Sequence, residues 1–246
     1  MIGVLFSSII RAMEKLVFGV DESTPQFLIE QFEKLEFKVS SKSLPPDNAT
    51  GNLAWGNGQL GWQDPEFKKP LVFDLSQLPL VPKGLKSEPF ARAIGLNNKQ
   101  CDIWDATCGT GKDSLLMMAY GHRVKSFERN PWVFLLLQDA LYRAENPFEL
   151  FFGSCLDYKD KFDAPDLIYY DPMFPDKKKK ALPRKEMQIF KKLGLRDQDE
   201  EEFIMAAKKI IKNRLVIKRP VKADVFLNSC TASFPGKSAR YDMYMV

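Results

Sequence analysis

The 246-residue chain carries 36 Lys and Arg against 32 Asp and Glu, a formal net charge of +4, with 45% hydrophobic and 28% charged residues. That is ordinary for a globular protein with a packed core, and the length suits one large α/β domain with or without a small accessory lobe. The charge permits a nucleic-acid partner without requiring one. The four cysteines and the single histidine lack paired spacing, so no metal site or disulfide framework is expected, only reduced thiols in a cytoplasmic protein.

The opening apolar run reaches Ile10 with no basic stretch before it, and Arg11, Glu14 and Lys15 interrupt it long before it could span a membrane. An amphipathic helix within Met1–Val20, or a start codon placed too far upstream, fits better than an export signal, and no membrane association is expected. A helix is expected over Thr24–Leu35, capped by Ser23 or Thr24 with Pro25 in its first turn. A turn-rich stretch follows over Leu44–Gly61, then a strand over Leu71–Leu75. These pieces suggest a small α+β lobe over residues 1–85, ahead of a larger domain over 86–246.

From there strand and helix alternate. Helices are expected over Lys86–Ile94, Asp113–Tyr120, Pro131–Ala144, Lys185–Leu193 and Asp197–Lys212. Strands are expected over Asp102–Ala106, Arg123–Glu128, Leu150–Phe152, Leu167–Tyr170 and Arg214–Lys218. Asn228–Phe234 and Arg240–Val246, around Pro235-Gly236, read as an antiparallel hairpin. Such alternation predicts a doubly wound, Rossmann-like α/β sheet. With its closing hairpin the expected sheet resembles that of class I methyltransferases.

Asp105-Ala106-Thr107-Cys108-Gly109-Thr110-Gly111-Lys112-Asp113 places an acid, a Gly turn and a helix start in succession. Gly109 and Gly111 allow a sharp turn and close ligand approach, and the helix start presents free N–H groups. A P-loop would need Gly at 106 and Ser or Thr at 113, where the chain has Ala106 and Asp113. A dinucleotide fingerprint would need Gly at 114, which is Ser114. S-adenosylmethionine fits better, its ammonium group meeting Asp105; a Gly turn with no ligand is the plainer alternative. Glu128 ends the next strand, placed to accept both ribose hydroxyls of a nucleoside. Gly153-Ser154-Cys155 would lie beside the adenine, with Asp157 a weaker candidate there.

Leu167-Ile168-Tyr169-Tyr170-Asp171-Pro172-Met173-Phe174-Pro175 is the most specific feature. Methyltransferases directed to amino groups of nucleic acids carry Asp or Asn, Pro, Pro, then Tyr or Phe at this point. The lone pair of an exocyclic amine is delocalised into its ring. The Asp171 carboxylate and the Pro172 carbonyl would accept its two hydrogens, favouring a pyramidal nitrogen. Phe174 offers a face for an unstacked base, and positioning then carries much of an in-line transfer. Met173 in place of the second Pro argues against a DNA adenine-N6 or cytosine-N4 enzyme. Intact Gly109, Gly111, Glu128 and Asp171 argue against a non-catalytic RNA-binding relative.

These runs, with Phe127-Glu128-Arg129-Asn130-Pro131, Lys185-Glu186-Met187, Val216-Ile217-Lys218-Arg219-Pro220 and Arg240-Tyr241-Asp242, resemble the RsmJ (YhiQ) family over about residues 86–246. Members are bacterial 16S ribosomal RNA guanine-N2 methyltransferases acting on the small ribosomal subunit. The resemblance implies S-adenosylmethionine contacts at Lys112, Asp113, Glu128, Arg129, Ser154, Cys155 and Asp171. Lys112 stands where the family usually has Arg, and Cys155 where it usually has Ser. Lys177, Lys178, Lys179 and Lys180, then Arg184 and Lys185, follow the catalytic motif. Beside an amine-binding motif they are placed to hold RNA phosphates, with Lys218 and Arg219 extending the patch; a solvated lysine face is the plainer alternative. Trp55, Trp62 and Phe67 read as core more readily than as RNA-stacking residues.

Overall fold

The computed structural model describes residues 17–20, 22–35, 38–40, 52–76, 88–95, 100–145, 147–173, 185–192 and 200–246. The larger of its two sheets runs in the order β10-β11-β9-β8-β5-β6-β7. Its strands are β5 (Asp102–Asp105), β6 (Arg123–Glu128), β7 (Glu149–Phe152), β8 (Leu167–Tyr170), β9 (Arg214–Pro220), β10 (Ala232–Pro235) and β11 (Ala239–Met245). All four residues of β8 are buried, as a parallel strand covered on both faces requires. β8 pairs in parallel with β5 and β9, while β11 runs antiparallel to β9 and β10. The chain winds outward from β5 to β7, then returns to lay β8 on the other side of β5. The crevice at that reversal, outside the carboxyl ends of the strands, is where such sheets hold ligands.

The helices are α1 (Gln26–Lys34), α2 (Pro89–Ile94), α3 (Lys112–Ala119), α4 (Pro131–Arg143), α5 (Lys185–Lys192) and α6 (Glu200–Ile210). α4 starts with Pro131 behind Asn130, whose side chain accepts from the N–H groups of Trp132 at 3.0 Å and Val133 at 3.1 Å. It is buried almost all round because it lies between the large sheet and the smaller one, ordered β2-β1-β3-β4. A helix without a polar face needs such a position. Trp62 of β4 (Gln59–Gln63) packs against Trp132 at 5.4 Å between ring centroids, and Phe73 against Phe190 of α5 at 6.1 Å.

Several sequence expectations need correction in the N-terminal lobe. Residues 52–61, expected to be turn-rich, belong to a hairpin of β3 (Asn52–Gly56) and β4. Its turn is Asn57-Gly58, with φ of 54° and 72°, as a tight hairpin of this twist demands. Leu71–Leu75 is not a strand: only Leu71 pairs, in an isolated bridge to Trp62. Leu71, Phe73 and Leu75 are nonetheless buried, so the alternation is satisfied by packing without a ladder. α1 starts at Gln26, two residues after the expected Thr24, with Pro25 at the capping position and not the first helical one, and the Ser23 hydroxyl accepts from Trp55 Nε1 at 2.9 Å instead. Within the expected N-terminal helix, Val17–Gly19 form strand β1, paired with β2 (Lys38–Ser40); residues 1–16 lie outside the described residues.

Candidate active site

Gly109 and Gly111 have different tasks. Gly109, at φ 55°, has only Thr107 O within 4 Å of where a Cβ would stand, at 3.8 Å, so its loop is open to a ligand. Its N–H donates to Glu128 Oε2 at 3.0 Å, while Glu128 Oε1 accepts from the Asn130 N–H at 2.7 Å. Two backbone amides thus fix the Glu128 carboxylate beside the loop. Gly111, at φ 77°, is buried; a Cβ there would meet Leu137 and Phe148 at 3.0 Å and Leu75 at 3.3 Å. The missing side chain of Gly111 thus makes room for α4 and the segments around Phe148 and Leu75.

Asp105 also turns inward. It is fully buried, accepting from Ser114 Oγ at 2.6 Å and from the Thr107 N–H at 3.2 Å. Ser114 lies 2.9 Å from Ser126 Oγ and 3.4 Å from Cys108 Sγ. Burial pushes the Asp105 carboxyl up to about 7, against the Ser114 hydrogen bond. Asp105 therefore anchors the Gly loop to α3 and β6, and the expectation that it meets the cofactor ammonium is corrected: no face of it is open. An acid at a strand end reads the same in sequence whether it points out of the sheet or into it.

The acids that do open on the crevice are Asp113 and Asp171, with side chains 31% and 33% exposed. Asp113, in the first turn of α3, accepts from Tyr169 Oη at 2.7 Å and from Lys218 Nζ at 2.8 Å. Lys218 Nζ is equally 2.8 Å from Asp171 Oδ2. The Asp171 N–H donates to Thr107 Oγ1 at 2.7 Å, joining the catalytic motif to the Gly loop. Burial pulls the Lys218 ammonium down, but Asp171 and Asp113 together push it further up, so it stays charged. Burial, then the two acids, push the Tyr169 hydroxyl well up.

Lys112 is exposed, and Arg129 and Ser154 are half-buried. Ser154 caps a turn at Cys155–Tyr158, its hydroxyl accepting from the Leu156 N–H at 3.3 Å and its N–H donating to Asp157 Oδ2 at 3.1 Å. The Cys155 side chain is fully buried and burial pushes its thiol up; the expected contact at Cys155 is left to the backbone. Pro172 is buried and Met173 packs against the core around α4. Phe174, Lys177, Lys178, Lys179, Lys180 and Arg184 lie outside the described residues.

The remaining basic residues are engaged within the protein. Lys185 Nζ lies 5.2 Å over the Phe67 ring and donates to the Lys69 carbonyl. Arg219 Nη2 donates to Asp224 O at 3.1 Å, and its guanidinium lies 5.3 Å over Phe226. Lys218 holds two carboxylates. β9 aims Lys218 at the two acids and Arg219 at its own following loop. The signal for Lys218 lay in the register, since Tyr170 of β8 is opposite Ile217 of β9, which makes Asp171 and Lys218 neighbours.

Among the described residues no group of three or more His, Cys, Asp or Glu is placed to hold a metal, and no helix is long and apolar enough to cross a membrane.

A SAM-dependent methyltransferase family model matches residues 81–246. The ribosomal RNA small subunit methyltransferase J of Alteromonas mediterranea is 35% identical over 229 residues, 86% of this chain and 88% of the relative. That of Thioalkalivibrio sulfidiphilus is 37% identical over 175 residues, 65% of this chain and 69% of the relative. The crystal structure of a SAM-dependent methyltransferase of Neisseria gonorrhoeae superposes with a TM-score of 0.67 at 23% identity, covering 93% of this chain and 95% of that one. The shared fold is the class I methyltransferase fold.

Proposed function

The chain belongs to the SAM-dependent methyltransferase family that includes the ribosomal RNA small subunit methyltransferases J, and on that premise we propose that it methylates the exocyclic N2 of a guanosine in 16S ribosomal RNA, in the cytoplasm. The observation that carries this reading is the position of Asp171. It directly follows the central strand β8, next to β5, and its N–H is bonded to Thr107 of the Gly loop at 2.7 Å. An amine held by Asp171 would therefore lie against the cofactor loop.

The residues present fit S-adenosylmethionine. Glu128, held by two amides, is suited to the ribose hydroxyls; the open Gly109 turn allows backbone approach; Asp113 and Asp171 attract a cationic ligand. The cofactor supplies an electrophilic methyl group on a sulfonium. Asp171 and the Pro172 carbonyl accept the two amine hydrogens, leaving the nitrogen lone pair to form the N–C bond as the C–S bond breaks. The proton of the cationic amine so formed passes to Asp171 or to solvent. Phe174 supports the base by stacking. Lys177, Lys178, Lys179, Lys180 and Arg184 hold flanking phosphates. Lys112, Arg129, Ser154 and the Cys155 backbone complete the cofactor contacts, and the described N-terminal segments brace α4 and α5 through Leu60, Trp62 and Phe73.

The test is incubation with radiolabelled S-adenosylmethionine and unmethylated small ribosomal subunits, followed by nucleoside analysis. Label in N2-methylguanosine that disappears with Asp171→Ala supports the reading. Label on another base or on DNA alone replaces it.

A further inference from the structure

We propose that Lys218 is a positioning residue for methyl transfer, its ammonium tying Asp113 on the cofactor side and Asp171 on the amine side into one unit. This rests on the reading of Asp171 as the amine-binding acid. Both carboxylates are 2.8 Å from the same Nζ, so the bonded oxygens lie within twice that distance of each other. Two carboxylates so close do not both stay ionised without a cation between them, and one takes up a proton. A protonated Asp171 would carry a donor where the amine needs an acceptor. Lys218 removes that conflict and leaves the three groups with one net negative charge, which still attracts a cationic cofactor.

The arrangement is held from several sides. Tyr169 Oη fixes Asp113 at 2.7 Å, and Thr107 Oγ1 fixes the Asp171 backbone at 2.7 Å. Lys218 sits on β9 between β8 and β11, opposite Tyr241 in the antiparallel register. The side chain is 25% exposed, against 31% and 33% for its partners, so the cluster is partly shielded from solvent. The other titratable groups facing the cluster are Tyr169, Tyr241, Tyr120 and Asp105. The tyrosines stay neutral across the working range, burial holding Tyr241 up at about 12. Asp105 titrates within that range and is pushed up by both Asp113 and Asp171, so all the proteins are compared in an Asp105→Asn background, where that titration is absent. Arg or Lys at 218 can bridge two acids; an apolar side chain of similar length cannot.

In that background the experiment compares the otherwise wild-type protein with Lys218→Arg and Lys218→Met from about pH 5.5 to about pH 9, by single-turnover transfer to small ribosomal subunits and by thermal unfolding without substrate. Lys218→Met should transfer about ten- to a hundredfold more slowly at the acid end, the scale on which losing the partner of a site ligand acts. Its rate should recover toward alkaline pH as the acid pair ionises. Its melting temperature should fall relative to wild type as pH rises, because the two acids repel once both are charged. Lys218→Arg should keep wild-type profiles in both. Adding Asp113→Asn to Lys218→Met should flatten the unfolding difference by removing one of the repelling charges. A Lys218→Met protein with wild-type pH profiles, or with a uniform loss independent of pH, overturns the proposal. If Lys218→Met does not fold, Lys218→Arg with an altered profile, or a double variant that does not refold, overturns it as well. Failure of wild-type protein to methylate any ribosomal substrate defeats the reading of the reaction instead, and the unfolding arm then decides Lys218 alone.

Discussion

The backbone N–H of Leu60, in the N-terminal hairpin, donates to the carboxylate of Asp139, in the middle of α4, at 3.1 Å. The same oxygen accepts from Arg143 Nε at 2.9 Å, and Arg143 Nη2 donates to Phe73 O at 2.6 Å. One buried acid thus ties the small lobe to the large sheet through β4 and the extended segment after it. Asp139→Ala should orphan the Leu60 amide and cost about 1–3 kcal/mol of stability. That corresponds to about 2–4 °C in melting temperature for each kcal/mol in a chain of this size. Calorimetry checks it; an unchanged melting temperature would mean the lobe docks by apolar packing alone.

The two glycines of the cofactor loop should separate under mutation. Gly111→Ala places a methyl group 3.0 Å from Leu137 and Phe148 at φ 77°, so overpacking of about 1–3 kcal/mol adds to left-handed strain. Gly109→Ala meets only the left-handed penalty of about 1–2 kcal/mol, but puts its methyl group where a ligand would approach. Gly111→Ala should therefore lose mainly thermal stability, and Gly109→Ala mainly S-adenosylmethionine affinity. Unfolding and titration calorimetry together decide, and the reverse pattern would reassign the pair.

How far the sequence carried this site depends on direction more than on identity. Arg123–Glu128 and Leu167–Tyr170 are strands as their apolar runs predict; Asp105 ends β5, Asp171 directly follows β8, and β9 runs two residues past the expected Lys218 to Pro220. Which way those end groups point is a matter of register and neighbours. Asp105 meets Ser114 inside, itself in contact with Ser126, while Lys218 meets two acids across the sheet. The hairpin of β3 and β4 was hidden because Gly56, Gly58 and Gly61 all read as turn signals, although only Asn57-Gly58 forms the turn. Gly61 is in β4, where a Cβ would lie 2.8 Å from Pro70; a small residue was required by the chain packed across it.

Asp105 makes stability depend on pH in an unusual direction. Its folded carboxyl stands at about 7, above the ordinary value of 3.8, so between those values the folded state binds more protons than the unfolded one. Its contribution is therefore fully present at acid pH and is lost as pH rises through about 7. Asp105→Asn keeps one acceptor oxygen for the Thr107 amide, turns an NH2 donor toward the Ser114 hydroxyl, and loses the charge. The variant should gain stability relative to wild type as pH rises from about 4 to about 7, with a flat difference above that. Parallel unfolding curves across that range would show that Asp105 is charged at no greater cost than in the unfolded chain.

The lysine run predicts a salt effect. Replacing Lys178 and Lys179 with Glu should weaken binding of single-stranded ribosomal RNA fragments and reduce the slope of log affinity against log salt by about 1.4, at about 0.7 per lost phosphate contact. Filter binding over a salt series reads the slope. An unaltered slope returns the run to a solvated surface.

Asp171 distinguishes acceptance of hydrogen bonds from strong general-base catalysis. The carboxylate has Lys218 Nζ 2.8 Å from Oδ2, and a neighbouring cation weakens a base while leaving its oxygens good acceptors. In the proposed reaction the amine gives up its proton only after the methyl group arrives, so acceptance and positioning are what Asp171 would supply. Asp171→Ala removes both and should reduce the transfer rate by about 10²–10³-fold, the scale of losing one preorganised polar group at a reacting centre. Asp171→Asn keeps one acceptor oxygen and should retain a larger share of the rate, with Lys218 still paired to Asp113. Single-turnover rates at saturating cofactor compare the two. Equal losses would mean that the negative charge itself, and proton removal by it, is what Asp171 contributes.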